Sequence, residues 1–171
     1  MRFGHRRRRG SAMLEFTMAG IAAATMLITT VQVGLGMWNY HTLAYAVHET
    51  NRYIIVHGRD CGLGGNSCLI TVANIASKLQ SNAIGLVPAN LSMTLTSNSG
   101  TVYTCNPLTS CSTDSTQWPP VNKFDNMAGN NSTIKASYSF NNALIILWFG
   151  KSGMRIGNMT LAASSKVPIL F

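Results

Sequence analysis

The first place where this chain could do chemistry is a glycine followed, five residues later, by a carboxylate at the mouth of a long apolar run. The residues are Gly10, Ser11, Glu15 and Phe16. A cut after Gly10 would give Ser11 a free amino group. Glu15 lies four residues further on, so on a helix the ammonium and the carboxylate share a face. A carboxylate carried to the centre of a bilayer costs about 2–3 kcal/mol, so its presence here asks for a partner. That partner is either its own Ser11 ammonium or that of a neighbouring copy, and a buried pair of this kind fixes register more than it adds stability. The plainer alternative leaves Glu15 in the headgroup region beside the arginines that precede it.

Other reactive side chains form no comparable constellation. His41 and His48 are seven residues apart, so on one helix they stand roughly 10 Å apart along the axis and cannot share an ion. His57 falls on the opposite side from His48, and no metal site is assigned. Beyond Glu49 the only carboxylates are Asp60, Asp114 and Asp125, with no second acid near any of them in sequence. There is no Gly-x-Ser-x-Gly elbow. The Gly62-Leu63-Gly64-Gly65 loop lacks the spacing and the lysine of a phosphate cradle. These absences point away from an enzyme and from any cofactor. Four cysteines, all beyond the apolar run, fit an oxidising compartment. Cys61 and Cys68 bracket one loop and Cys105 and Cys111 another; neither pair has the two-residue spacing of a zinc knuckle. Three connectivities are open, of which the two local pairs are favoured.

These groups are positioned by the element that runs through them. From Phe16 to Trp38 the clearly polar side chains are Thr17, Thr25, Thr29, Thr30 and Gln32, and no Asp, Glu, Lys or Arg occurs between Glu15 and Glu49. About 20 apolar residues at the helical rise match the ~30 Å hydrocarbon core. Trp38 and Tyr40 then fall where an interfacial aromatic belt belongs. The run is too long for the apolar region of a cleaved secretory signal. Arg6, Arg7, Arg8 and Arg9 beside the span hold the N-terminus in the cytoplasm, so everything after Trp38 lies outside it. The chain carries a net charge of +8, but Arg2 and Arg6 to Arg9 supply five of its thirteen Lys and Arg residues. Without those five the remainder is only +3. The anionic inner leaflet is partner enough for the basic block, and nucleic acid is not expected.

The order of basic block, Gly10, Glu15-Phe16 and hydrophobic helix resembles the class-III signal of type IV pilins. Arg8-Arg9-Gly10-Ser11-Ala12 with Glu15-Phe16 is most similar to TadE-like minor pilins and pseudopilins of the tight-adherence (Flp) pilus system. The Arg52-Tyr53 pair after the span and the late strand-like segments extend the likeness at the level of pattern. The resemblance implies cutting after Gly10 by a prepilin peptidase. It implies contacts with other pilins and pilus assembly proteins, and a single-pass location in a bacterial inner membrane with a periplasmic C-terminal domain. It also implies that the helix can leave the bilayer for a filament core, with Glu15 matched to a neighbouring amino terminus. The other possibility is an uncut, signal-anchored envelope protein whose outer domain binds a partner.

The fold class expected is α+β and pilin-like. Residues 1–10 form a basic leader, residues 11–57 one long helix with its span at about 16–38, and residues 58–171 an extracytoplasmic domain. No proline interrupts the helix, which would be roughly 70 Å long, with Gly34 and Gly36 as places for a bend and Gly58 as its C-cap. Ala19, Gly20, Ala23 and Ala24 give a small-residue face of a kind common in membrane helices. Past Trp38, Leu43, Ala46, Val47, Tyr53 and Ile54 recur at helical spacing and should pack on the outer domain. Glu49 and Arg52 should pair. The pattern predicts a short helix over residues 69–82 and a strand at Leu91-Met93-Leu95. A turn at Asn98-Ser99-Gly100 and a strand through Val102 and Tyr103 follow. Residues 107–133 read as polar loop anchored by Trp118. Ile134 to Phe140 and Met159 to Val167 read as strands of a mainly antiparallel sheet. Ala143 to Phe149 is an apolar patch too short to span. It is either a buried strand or a surface segment with Trp148 and Phe149 dipped into the bilayer interface.

Overall fold

A computed structural model describes residues 9–60, 62, 68, 70–121, 124–140 and 159–170. Helix α1, Arg9–Ile55, is unbroken and about 70 Å long by its rise. Helical structure continues through Gly34 and Gly36. Helix α2, Val72–Asn82, follows. Four strands then make one sheet: β1 Leu91–Thr96, β2 Val102–Cys105, β3 Asn131–Phe140 and β4 Met159–Pro168. Their order is β2-β1-β3-β4 and every neighbouring pair is antiparallel. The architecture is α+β: a long helix apolar enough to cross a membrane, then a small domain with a short helix and a four-stranded antiparallel sheet.

The period of the apolar residues decides which faces meet. Along α1 the buried positions are Leu43, Ala46, Val47, Thr50, Asn51, Ile54 and Ile55, a stripe at helical spacing. In β1 and β3 burial alternates, so Leu91, Met93 and Leu95 share the inner face with Ile134, Ala136 and Tyr138. Met93 sits opposite Cys105 on one side and Ala136 on the other. Val72, Ile75, Ala76 and Leu79 of α2 complete a single core with these residues. The turn between β1 and β2 puts Gly100 at φ +81°, which glycine adopts without steric cost.

Two helix ends differ from the sequence expectation. α1 stops at Ile55, two residues short of His57, and Gly58 does not cap it. The peptide N–H of His57 donates back to Ile54, and Leu170, near the other end of the chain, donates to the carbonyl of Ile55 at 3.0 Å. Helix-end carbonyls are thus met by a tertiary partner. α2 begins at Val72, not at residue 69, because Thr71 caps it: its Oγ1 accepts from the Asn74 N–H. Ile70 is therefore outside the helix, buried, with its carbonyl accepting from Trp118 N–H.

The polar loop is docked rather than featureless. It holds a 3₁₀ turn, Leu108–Cys111, and β3 already begins at Asn131. Carbonyls of Asp114 and Thr116 accept from Ala73 and Val72, meeting the free N–H groups of the first turn of α2. Trp118 is 2% exposed and anchors the loop in the core. At the C-terminal end Ile169 is buried and exchanges backbone hydrogen bonds with Gly129 and Asn130, while Leu170 stays exposed.

Candidate functional site

The candidate functional element is α1, and it has two halves with different surroundings. Up to Thr42 its described side chains are exposed or half-exposed, and its most apolar window buries nothing against the rest of the chain. From Leu43 onward one stripe is covered by the sheet and α2. A 44-residue stretch, Ala12–Ile55, contains the candidate membrane span.

The polar side chains of the exposed half are largely turned back on the helix. Thr17 donates to the carbonyl of Met13, Thr25 to Ala22 at 2.9 Å, Thr29 to Thr25 at 2.7 Å and Thr30 to Met26 at 2.9 Å. A hydroxyl bonded within its own helix can face hydrocarbon, whereas an unpaired one cannot do so cheaply. Four threonines are in this way compatible with a lipid environment.

Gly10 and Ser11 lie in the first turn of α1, and Glu15 follows one turn later, exposed, with Phe16 beside it. Arg9 starts the helix; Arg6, Arg7 and Arg8 lie outside the described residues. Trp38 and Tyr40 are exposed a short distance before the first buried residue, Leu43. Trp148 and Phe149 lie outside the described residues, as does the whole of the 143–149 patch.

In the domain, Cys105 and Cys111 are joined by a disulfide with Cα atoms 5.7 Å apart. Cys68 is also disulfide-bonded; Cys61 lies outside the described residues. Among the described residues no group of three or more His, Cys, Asp or Glu side chains is placed to hold a metal. His57 instead packs its ring 4.3 Å from that of Tyr53 and bonds the Tyr53 carbonyl through Nδ1 at 2.6 Å. Glu49 and Arg52 form an exposed ion pair at 3.2 Å, worth a few tenths of a kcal/mol by the usual helix-pair magnitude, about 0.3–0.5.

Sequence reasoning does not single out Asn51, and gives Asp114 and Asp125 only as isolated carboxylates. Asn51 is fully buried on α1 and donates from Nδ2 to Ser165 Oγ on β4 at 3.0 Å. Its position on the Leu43–Ile54 stripe was the available signal. Asp125, 2% exposed, accepts from both the N–H and the hydroxyl of Ser99 and so ties the β1–β2 turn to the loop before β3. Asp114 accepts from the Tyr103 hydroxyl and from the Thr116 N–H. Hydrogen bonds from the side chain and backbone of Thr116 hold its carboxyl below the usual carboxylate range.

Residues 10–52 match the model of the family described as TadE-like protein. The match begins at Gly10, takes in Ser11, Glu15 and the apolar run, and ends within the stripe that docks on the sheet. The N-terminal helix is similar to the TadE-like family over this segment. The match supports a TadE-like protein of the Tad pilus system, and covers a quarter of the chain. No curated protein and no solved structure matches the chain. The TadE-like segment with its one candidate membrane helix near the N-terminus fits a single-pass membrane protein in a pilus system.

Proposed function

We propose that this chain is a minor pilin or pseudopilin, a membrane-anchored structural subunit needed for assembly of a Tad (Flp) pilus or a related secretion filament. The observation that carries the reading is the coincidence of the TadE-like match with a helix that is uncovered from Ala12 to Thr42 and docked from Leu43 onward. A subunit that stores its helix in a bilayer and later packs it among other helices needs such a division.

In this reading the chain sits in a bacterial inner membrane with Arg6 to Arg9 cytoplasmic and the sheet domain periplasmic. A prepilin peptidase cuts between Gly10 and Ser11. The new Ser11 ammonium is then neutralised by Glu15 of the same or a neighbouring subunit, which removes the cost of carrying either charge into a filament core. Partners are other pilins and pilus assembly proteins. The role is structural, with no reaction, cofactor or nucleic acid involved.

Replacing Glu15 tests the reading. Glu15→Leu leaves the span more apolar, so insertion into the membrane should be unchanged while incorporation into the pilus, or pilus yield, is lost. Normal pilus assembly by Glu15→Leu and Glu15→Ala would contradict the subunit role assigned to this carboxylate. It would favour an uncut anchor whose outer domain binds a partner.

A further inference from the structure

The outer domain has two ends, and their orientation relative to α1 follows from four contacts. Asn51 meets Ser165 and Ile55 meets Leu170, so β4 ascends in the same sense as α1. Met159, six residues before Ser165, therefore lies toward the span, by roughly 20 Å of strand. α2 runs the other way. Ile70, just ahead of it, lines a small cavity with His57 at the top of α1, and Lys78 further along reaches over the Tyr53 ring. The segment leaving α2, Ala83 to Asn90, thus emerges at the span side. It leads directly into Leu91, which pairs with Tyr138 near the same end of the sheet.

That end has a distinct composition. Ile84 is 73% exposed, Val87 51% and Met159 60%. No Asp, Glu, Lys or Arg occurs between Lys78 and Asp114 or between Glu15 and Glu49. Arg59, whose N–H bonds the Asn126 carbonyl, and Asp125, bonded to Ser99 in the β1–β2 turn, mark the opposite end, where Phe124 and Leu170 are exposed. Ile84 and Val87 stand in a stretch without charged residues, while Lys151 and Arg155, which precede Met159 in the chain, lie outside the described residues.

We propose that the span-side end of the domain, through Ile84, Val87 and Met159, rests in the outer leaflet of the bilayer that α1 crosses. The inference rests on the reading of α1 as a membrane span. The occupant is lipid because α1 leaves the domain from this same end, with Trp38 and Tyr40 exposed just below Leu43. The apolar groups then continue an aromatic belt sideways from the helix. Burial of such a surface by some 5–10 Å needs exposed apolar side chains, which this end supplies, and basic residues such as Lys151 and Arg155, in the chain before Met159, suit anionic headgroups beside it. The domain is held upright by three points of contact besides its anchor.

The test uses the full chain in phosphatidylethanolamine/phosphatidylglycerol vesicles, carrying a photo-reactive leucine at one position at a time. The positions are Ile84→photo-leucine, Met159→photo-leucine, Leu27→photo-leucine within the span, and Phe124→photo-leucine at the far end. After irradiation, lipid adducts are read by mass spectrometry. The expected result is adducts at Ile84, Met159 and Leu27, and several-fold fewer at Phe124. Adducts at Leu27 without adducts at Ile84 and Met159 would overturn the inference and leave the span intact; chain-to-chain cross-links at Ile84 in their place would do the same. Equal adducts at Phe124 would overturn the assignment to one end. Absence of adducts at Leu27 would overturn the span reading and the inference with it.

Discussion

Asn51 on α1 donates its amide hydrogen to the Ser165 hydroxyl on β4 at 3.0 Å, across 114 residues of chain. The bond links the TadE-like helix to the last strand. Asn51 is fully buried, and its Oδ1 has no hydrogen-bond partner among the described residues. A polar group in this state favours one alignment of helix and strand over others, since any slip leaves its donor unpaired as well. Asn51→Ala should lower the stability of the domain by about 1–3 kcal/mol, the usual cost of losing a buried hydrogen-bonding partner. Thermal unfolding of the detergent-solubilised chain measures it; an unchanged midpoint would show that the bond does not secure the helix.

The two halves of α1 should respond differently to truncation. Ile54 is fully buried in the core, so Ile54→Ala should cost about 2–5 kcal/mol, by lost transfer energy and the cavity left behind. Leu27 is 69% exposed on the uncovered half, and Leu27→Ala should leave domain unfolding within about 0.5 kcal/mol. Paired denaturant curves on the two variants check this. A comparable loss at Leu27 would mean that the exposed half also supports the domain.

Cys105 and Cys111 are both buried, and their disulfide closes a short loop at the end of β2. Chain-entropy arguments give about 2 kcal/mol for a loop of this length. The double variant Cys105→Ala with Cys111→Ala should lose about that much in equilibrium unfolding and keep its fold. Loss of the folded state in the double variant would show that the loop is needed for more than closure.

Asp114 sets a dependence on acid. Its folded-state carboxyl is held below the ordinary range, chiefly by the Thr116 side chain, so the folded state keeps the charged form longer than the unfolded chain does. The stability it contributes is fully present above the ordinary carboxylate pKa of about 3.9 and fades as pH falls through the lower folded value. Asp114→Asn should therefore flatten the fall of the melting temperature between about pH 5 and pH 2 relative to the unaltered chain. Parallel curves would show that Asp114 carries no linked stability.

Much of this arrangement could be read from the residues. An uncharged run of helical length announces α1, and the Leu43–Ile54 period announces where it docks. Strict alternation marks β1 at Leu91-Met93-Leu95 and β3 at Ile134 to Phe140, since a strand with one covered face must alternate. The helix ends were less legible because tertiary partners set them: Leu170 takes the Ile55 carbonyl, and the Asp114–Thr116 segment serves the first turn of α2. The roles of Asn51 and Asp125 are not legible for a related reason. Their partners, Ser165 and Ser99, lie far away in sequence, and no local pattern marks a polar residue whose bond is made across the fold. Glu15 and Gly10 stand out because the chemistry proposed for them depends on short spacing along one helix.

The proposed role as a processed pilus subunit is tested most directly by the N-terminus of the protein recovered from membranes that contain its native peptidase. The account predicts a chain starting at Ser11, with the basic residues removed and a free amino group one helical turn from Glu15. A chain starting at Met1, with the peptidase active on another substrate in the same cells, would contradict it.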